Sequence, residues 1–84
     1  MWLLWFTSAS GWVGPFQCQT AADVFTNINQ HGGQDPYQKW HWDPNQGWIF
    51  DGPTVESSLA FPLVLEQVIY IAGSNGVAFF IQKQ

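Results

Sequence analysis

The segment Val68–Phe80 has the sequence VIYIAGSNGVAFF, and it decides the fold class. Two runs of β-branched and aromatic residues flank the polar turn Ser74-Asn75-Gly76, which is a strong short-range signal for a β-hairpin. The glycine that closes such a turn supplies the positive φ that the backbone needs there. The segment therefore predicts two antiparallel strands joined by a tight turn.

The same pattern occurs twice more along the chain. Residues 4–13 have the sequence LWFTSASGWV, and residues 40–50 have the sequence WHWDPNQGWIF. A Gly-Pro pair follows each segment, and it ends the second strand because proline has no N–H to donate to a sheet ladder. We therefore expect three hairpins, with positive φ at Gly11, Gly47 and Gly76.

Two helices are predicted between the hairpins. The first spans about residues 20–31, where Thr20 and Asp23 resemble a capping box with Asp in place of Glu and Gly32 stands at the C-terminal end. Apolar residues recur there at helical spacing, which predicts one buried stripe: Ala21, Val24, Phe25 and Ile28.

The second helix is expected to be short, at about residues 54–61, because Pro62 would break it. Residues 62–72 have two interpretations. A strand from about Gln67 is favoured, because Val68 and the residues after it are β-formers next to a strong turn. The alternative is a helix that restarts at Pro62 and continues to Ala72.

These elements predict a single α+β domain over residues 1–84, mostly antiparallel β, in the order ββα-ββα-ββ. A chain of 84 residues has room for one domain and has little core to stabilise it. Cys18 is the only cysteine, so no disulfide can form within the chain, and we expect a buried, inert thiol.

Composition excludes several classes of partner. Charged residues make up only 10% of the chain, there is no arginine, and the net charge is −4, whereas ordinary domains have about 25% charged residues. Two lysines are too few to neutralise a nucleic-acid backbone. The apolar segment of residues 1–6 is too short to cross a membrane. We therefore expect neither a nucleic-acid nor a membrane partner, and the compartment stays open between cytoplasm and virion.

Enzymatic and metal sites are not expected. His31, His41 and Cys18 lack the spacing of metal ligands, and no motif or orienting group suggests a cofactor or a nucleophile. Asp43 and Asp51 flank the second hairpin, as a glycosidase carboxylate pair could. Asp43 opens an Asp-Pro-Asn turn and Asp51 precedes a Gly-Pro pair, so both are expected to bond the local backbone.

Aromatic residues point to a binding surface. Side chains alternate across a strand, and several predicted strands are apolar on both faces, while two helices can cover only one face of a six-stranded sheet. Either an aromatic face stays uncovered, or the sheet coils on itself into a small open barrel. Tryptophan and tyrosine are common interface anchors, and the candidate binding residues are Trp12, Tyr37, Trp40, Trp42 and Trp48.

The leading functional hypothesis is a small, acidic, tryptophan-rich interaction protein without enzymatic activity. It would associate with itself as a homo-oligomer, or with a protein partner, through this aromatic face. Its small size and lack of motifs suit an accessory protein of a phage or other mobile element. Two alternatives are a capsid or tail subunit of a virion and a carbohydrate-binding module with a tryptophan platform.

Overall fold

A computed structural model describes residues 1–84 and confirms the α+β class. Three β-hairpins alternate with helical segments in the predicted order. The strands are β1 (Trp2–Ser8), β2 (Gly11–Cys18), β3 (Tyr37–Asp43), β4 (Gly47–Thr54), β5 (Val68–Gly73) and β6 (Ala78–Lys83), and the helices are α1 (Ala21–Gln30) and α2 (Ala60–Leu65), with a 3₁₀ turn at Glu56–Ser58.

All six strands form one antiparallel sheet in the order β2-β1-β6-β5-β3-β4. The third hairpin lies between the other two, because β6 pairs with β1 and β5 pairs with β3. The predicted positive φ is present in all three turns, at Gly11 (110°), Gly47 (82°) and Gly76 (88°). The two edge strands, β2 and β4, are those that contain the Gly-Pro pairs, which agrees with the restriction of proline to sheet edges. The expectation that each pair ends its strand is wrong, because β2 continues to Cys18 and β4 to Thr54. An edge strand has one side without a partner, where a missing N–H breaks no ladder bond.

Helix α1 has the predicted cap. The Asp23 N–H donates to the Thr20 hydroxyl at 3.2 Å, and the Thr20 N–H donates to the Asp23 carboxylate at 3.1 Å. Val24 and Ile28 are buried, as the stripe predicts. Gly32, with φ of 83°, follows the helix and allows the chain to reverse.

The predicted second short helix is confirmed, but it lies later in the chain than about residues 54–61. The structure has the 3₁₀ turn at Glu56–Ser58 and then α2 at Ala60–Leu65. Pro62 is the third residue of α2, inside the first turn, where a backbone N–H has no partner within the helix and proline is tolerated. Strand β5 begins at Val68, so the favoured strand is confirmed, although residues 62–65 are helical.

The core lies between the helices and one face of the sheet, here called the helix face. Cys18 belongs to it and is fully buried. Burial and the nearby Asp23 raise the pKa of the Cys18 thiol, which favours the protonated form, and the expected burial of this residue is confirmed. The buried apolar residues form one cluster: Leu4, Cys18, Val24, Ile28, Tyr37, Leu59, Leu63, Ile69, Ile71, Phe79 and Ile81.

Candidate functional site

The face of the sheet opposite the helices has a row of aromatic residues in direct cross-strand register. Trp5 pairs with Phe80, Phe80 with Tyr70, Tyr70 with Trp40, and Trp40 with Phe50. Ring centroids are 5.4 Å apart for Trp5 and Phe80, 5.4 Å for Trp40 and Tyr70, and 4.9 Å for Trp40 and Phe50. The row therefore crosses five strands, and neighbouring rings stabilise the sheet beyond their buried area.

The sheet curls toward this aromatic face. Trp12 in β2 and Trp48 in β4 stand on opposite edges, yet their rings lie 6.1 Å and 6.4 Å from the ring of Tyr70 in β5. In a flat sheet, β2 would be about 14 Å from β5, at about 4.8 Å per strand. The edges must therefore bend inward. The sheet does not close, because β2 and β4 remain unpaired edges. The open-barrel alternative expects both faces to be buried, but Trp12 is 51% exposed and Trp48 45% on this face, so the curl leaves the face uncovered.

The curled face is a trough with a half-buried floor and an exposed rim. We call it the aromatic trough. Its floor consists of Trp5, Trp40, Tyr70 and Phe80, all of intermediate burial. Its rim consists of Trp12 (51% exposed), Trp42 (43%), Trp48 (45%) and Phe50 (55%).

The aromatic trough has no charged side chain. By alternation from the pairing register, the polar residues that share this face are uncharged: Thr7, Gln17, Gln38 and Gln82. Lys39 in β3 lies on the helix face with buried Tyr37. The trough is therefore apolar, and the polar side chains around it are uncharged.

Three rings line a cavity of about 290 Å³ in the trough: Trp40, Trp48 and Tyr70. The planes of both indoles are steeply inclined to the Tyr70 ring, at 73° for Trp40 and 70° for Trp48. Cavities that hold drug-sized molecules measure about 300–1,000 Å³, so this open cleft is at the lower end of that range and has room for a projecting side chain.

Four of the five predicted binding residues lie in the trough, and the fifth does not. Tyr37 is fully buried on the helix face. Side chains along β3 point alternately to the two faces of the sheet, so Tyr37 and Trp40, three positions apart, face opposite sides. Its hydroxyl has no hydrogen-bond partner, and burial, with the charges of Glu56 and Asp35, raises its pKa to about 12.

Four residues of the trough were not predicted as site residues. Phe50 could have been found, because alternation along β4 places it on the same face as Trp48. The other three, Trp5, Tyr70 and Phe80, can be placed only when the pairing between distant strands is known.

An ion-pair cluster around the buried Lys39 lies on the helix face behind the rim. The Lys39 ammonium, 5% exposed as a residue, donates to the carboxylates of Asp51 and Glu66, the latter at 2.8 Å. His41 Nδ1 lies 2.8 Å from Asp51 Oδ1. The expectation that Asp51 bonds its local backbone is wrong, because Asp51 is the extra residue where the β3–β4 register shifts, and this bulge turns its carboxylate toward Lys39.

Asp43 behaves as expected. Its carboxylate accepts the backbone N–H groups of Asn45 and Gln46 at 2.7 and 3.0 Å, so it stabilises the turn. No pair of free carboxylates therefore spans the second hairpin, since Asp43 bonds the turn and Asp51 bonds Lys39.

The ion-pair cluster resembles a metal site only in its spacing. Candidate ligand atoms of His41, Asp51 and Glu66 lie within 4.8 Å of one another. The Lys39 ammonium contacts both carboxylates and so occupies the position that a cation would need. A metal ion would have to displace it against charge repulsion, which makes a stable ion-pair cluster the better description.

The cluster makes stability depend on pH. Burial alone would raise the pKa of Asp51, but hydrogen bonds from Lys39 and His41, and their charges, outweigh it and lower this pKa below 3.8. A carboxyl whose pKa is lowered in the folded state contributes stability above its unfolded pKa and loses that contribution as the pH falls through the folded pKa. We expect urea unfolding to show wild type more stable than Asp51→Asn at pH 6, with a difference that shrinks below about pH 4. A difference constant from pH 6 to pH 2 would contradict this assignment.

Comparison of the chain with known protein families, with curated proteins and with solved structures finds no match. No helix has the length and apolarity needed to cross a membrane. The functional argument therefore depends on the geometry of the trough.

Proposed function

We propose that this chain is a non-enzymatic interaction protein that associates with itself through the aromatic trough. The observation that carries the proposal is a sheet face lined by eight aromatic side chains, without charge, that neither helix covers. Monomeric proteins rarely expose a continuous apolar patch of several hundred Å² without using it. Association would provide the second layer that the fold lacks on this side.

The apolar area of the rim supports a weak contact. A fully buried aromatic side chain covers about 150–250 Å², so four half-exposed rim rings leave roughly 400 Å² to bury. With a similar area on the opposing copy, the gain is roughly 20 kcal/mol at about 25 cal/mol per Å². The association cost of about 4–15 kcal/mol, with the ordering and desolvation of side chains, offsets most of this gross gain. A total of roughly 800 Å² is also below the range of about 1,200–2,000 Å² typical of stable interfaces, so the rim rings alone support a weak contact.

The distribution of charge favours the trough over the helix face as the contact surface. A net charge of −4 makes two copies repel at long range. The trough itself is neutral, so burying it neither desolvates an ion nor opposes like charges. Contact between two helix faces would instead bring Asp51 and Glu66 of one copy toward the same carboxylates of the other.

The trough suits a protein contact better than a sugar platform. Trp42 and Trp48 are perpendicular, at 73° between ring planes, and so are not the coplanar faces on which a sugar chain would stack. A structural role in a virion would use the same contact, and large open assemblies would favour it over a small closed oligomer.

Sedimentation velocity tests the proposal. The wild type should sediment faster as its concentration rises into the high micromolar range, while Trp42→Ser should associate at least about tenfold more weakly, as for an interface anchor. Gln30→Ser on the exposed side of α1 is the control and should behave as wild type. A wild-type chain that is monomeric at every concentration would contradict self-association.

A further inference from the structure

Helix α2 presents a second exposed apolar surface. Phe61 is 73% exposed, Leu65 66% and Val64 54%, so these side chains are at least as accessible as nearly all of the trough rim. None of the three is charged, and they occupy little more than one helical turn. We call them the α2 knob. Such residues on a surface helix mark a contact site when they are contiguous.

The knob and the trough lie on opposite sides of the same molecule. Leu59 and Leu63 anchor the α2 region in the core against the helix face, and the Trp2 indole N–H donates to the Leu63 carbonyl at 3.1 Å. Residues on the other side of a helix so anchored must point away from the sheet. Phe61, Val64 and Leu65 therefore face outward, while the trough opens in the reverse direction.

We propose that the occupant of the aromatic trough is the α2 knob of a second copy, so that the chain assembles head to tail. The inference depends on the proposed function, because it takes the trough as the contact surface, and it adds the identity of the opposing surface. Two further observations, of shape and of charge, favour the knob over a second trough.

Shape favours the knob because the trough is concave. Two troughs placed face to face would touch at their rims and leave the half-buried floor rings of Tyr70 and Phe80 uncovered. A single projecting helical turn can reach that floor. The 290 Å³ cavity between Trp40, Trp48 and Tyr70 is of the size for one projecting side chain, and Phe61 is the most exposed large apolar residue.

Charge adds a complementary contact at the margin of the knob. The Lys83 ammonium donates to the Val64 carbonyl at 2.6 Å and so lies beside the knob. A lysine placed over an indole face is attracted by its electrons, and the trough rim has three tryptophans and no cation to repel it. Two troughs brought together would have no such pair.

This contact uses different surfaces on the two copies. It is heterologous, and repetition of it gives a ring if the rotation closes and a filament if it does not. Each copy in such an assembly has one filled trough and one inserted knob. The assembly is therefore not limited to a dimer, whereas a trough-to-trough contact is.

Mixing two variants tests the inference. Trp48→Ser removes a trough residue and keeps the knob, and Phe61→Ser removes the knob residue and keeps the trough. Each variant alone should associate at least about tenfold more weakly than wild type. An equimolar mixture should form a 1:1 dimer and grow no further, because one intact knob and one intact trough remain. Gln30→Ser is the control, and size is measured by sedimentation with one variant labelled.

The outcomes separate this inference from the proposed function. If Phe61→Ser associates as wild type and only Trp48→Ser is impaired, the knob is not the occupant, and the trough contact stands alone. If wild type does not associate at all, both are overturned. Far-UV circular dichroism checks folding, and should Trp48→Ser unfold, Phe50→Ser at the more exposed rim position replaces it with the same expected results.

Discussion

Phe79→Ala is expected to lower the free energy of unfolding by about 3–5 kcal/mol, the range for removing a buried phenylalanine. Phe79 is fully buried and lies in β6 between Phe6 of β1 and Ile71 of β5. Small domains are stable by only about 5–15 kcal/mol, so this loss would bring the chain close to unfolding. Urea denaturation followed by circular dichroism measures it.

The neighbouring residue provides a matched control. Phe80 follows Phe79 in β6 but faces the trough, where it is only half-buried. Phe80→Ala should cost clearly less, about 1–2 kcal/mol, since it opens a solvent-accessible gap rather than a closed cavity. An equal or larger cost for Phe80→Ala would show that the main core lies on the trough side.

Lys39→Met is expected to destabilise the fold by about 2–4 kcal/mol at neutral pH. It leaves the carboxylates of Asp51 and Glu66 without their shared cation, and breaking a buried ion pair costs about 3–5 kcal/mol. The two carboxylate side chains are 29% and 26% exposed, so water reduces the penalty somewhat. Chemical denaturation at pH 7 and at pH 4 measures it. The loss should be smaller at pH 4, because the pKa of Asp51 is lowered by Lys39 and an Asp51 carboxyl without that lysine begins to protonate there.

Two further variants identify the cause of that loss. Lys83→Met removes the other lysine, which bonds a single backbone carbonyl, and should cost less than about 1 kcal/mol. Adding Asp51→Asn and Glu66→Gln to Lys39→Met removes the unpaired charges and should restore at least half of the lost stability. No recovery in this triple variant would show that lost packing of the lysine side chain, not charge, is responsible.

Local signals in the sequence were sufficient for most of the secondary structure. Turn glycines such as Gly76, and the cap formed by Thr20 and Asp23, act within a few residues, so their effects follow from the chain itself. Pro62 misled the prediction because a proline breaks a helix only beyond its first turn, and the start of α2 depends on how Leu59 and Leu63 pack against a distant sheet.

The trough was only partly predictable, because its shape depends on long-range pairing. Alternation places Trp40, Trp42 and Trp48 on one face. Tyr70 can be placed in the trough only if β5 is known to pair with β3, where its partner Trp40 lies 30 residues earlier in the sequence. The curvature of the sheet could not be predicted from the sequence either. It is accompanied by register shifts in the β1–β2 and β3–β4 pairs, and such bulges have no strong local sequence signal. The bulge also explains why Asp51 escaped prediction as the partner of Lys39.

The most direct test of the central claim, that the aromatic trough is a self-association surface, is a concentration series of two-dimensional ¹⁵N–¹H NMR spectra. The six tryptophans each give one indole N–H signal. We expect the rim signals of Trp12, Trp42 and Trp48 to shift or broaden as concentration rises, while backbone amides on the exposed side of α1, such as that of Thr26, stay fixed. Rim signals that do not change up to millimolar concentration, or changes centred on α1, would contradict the account.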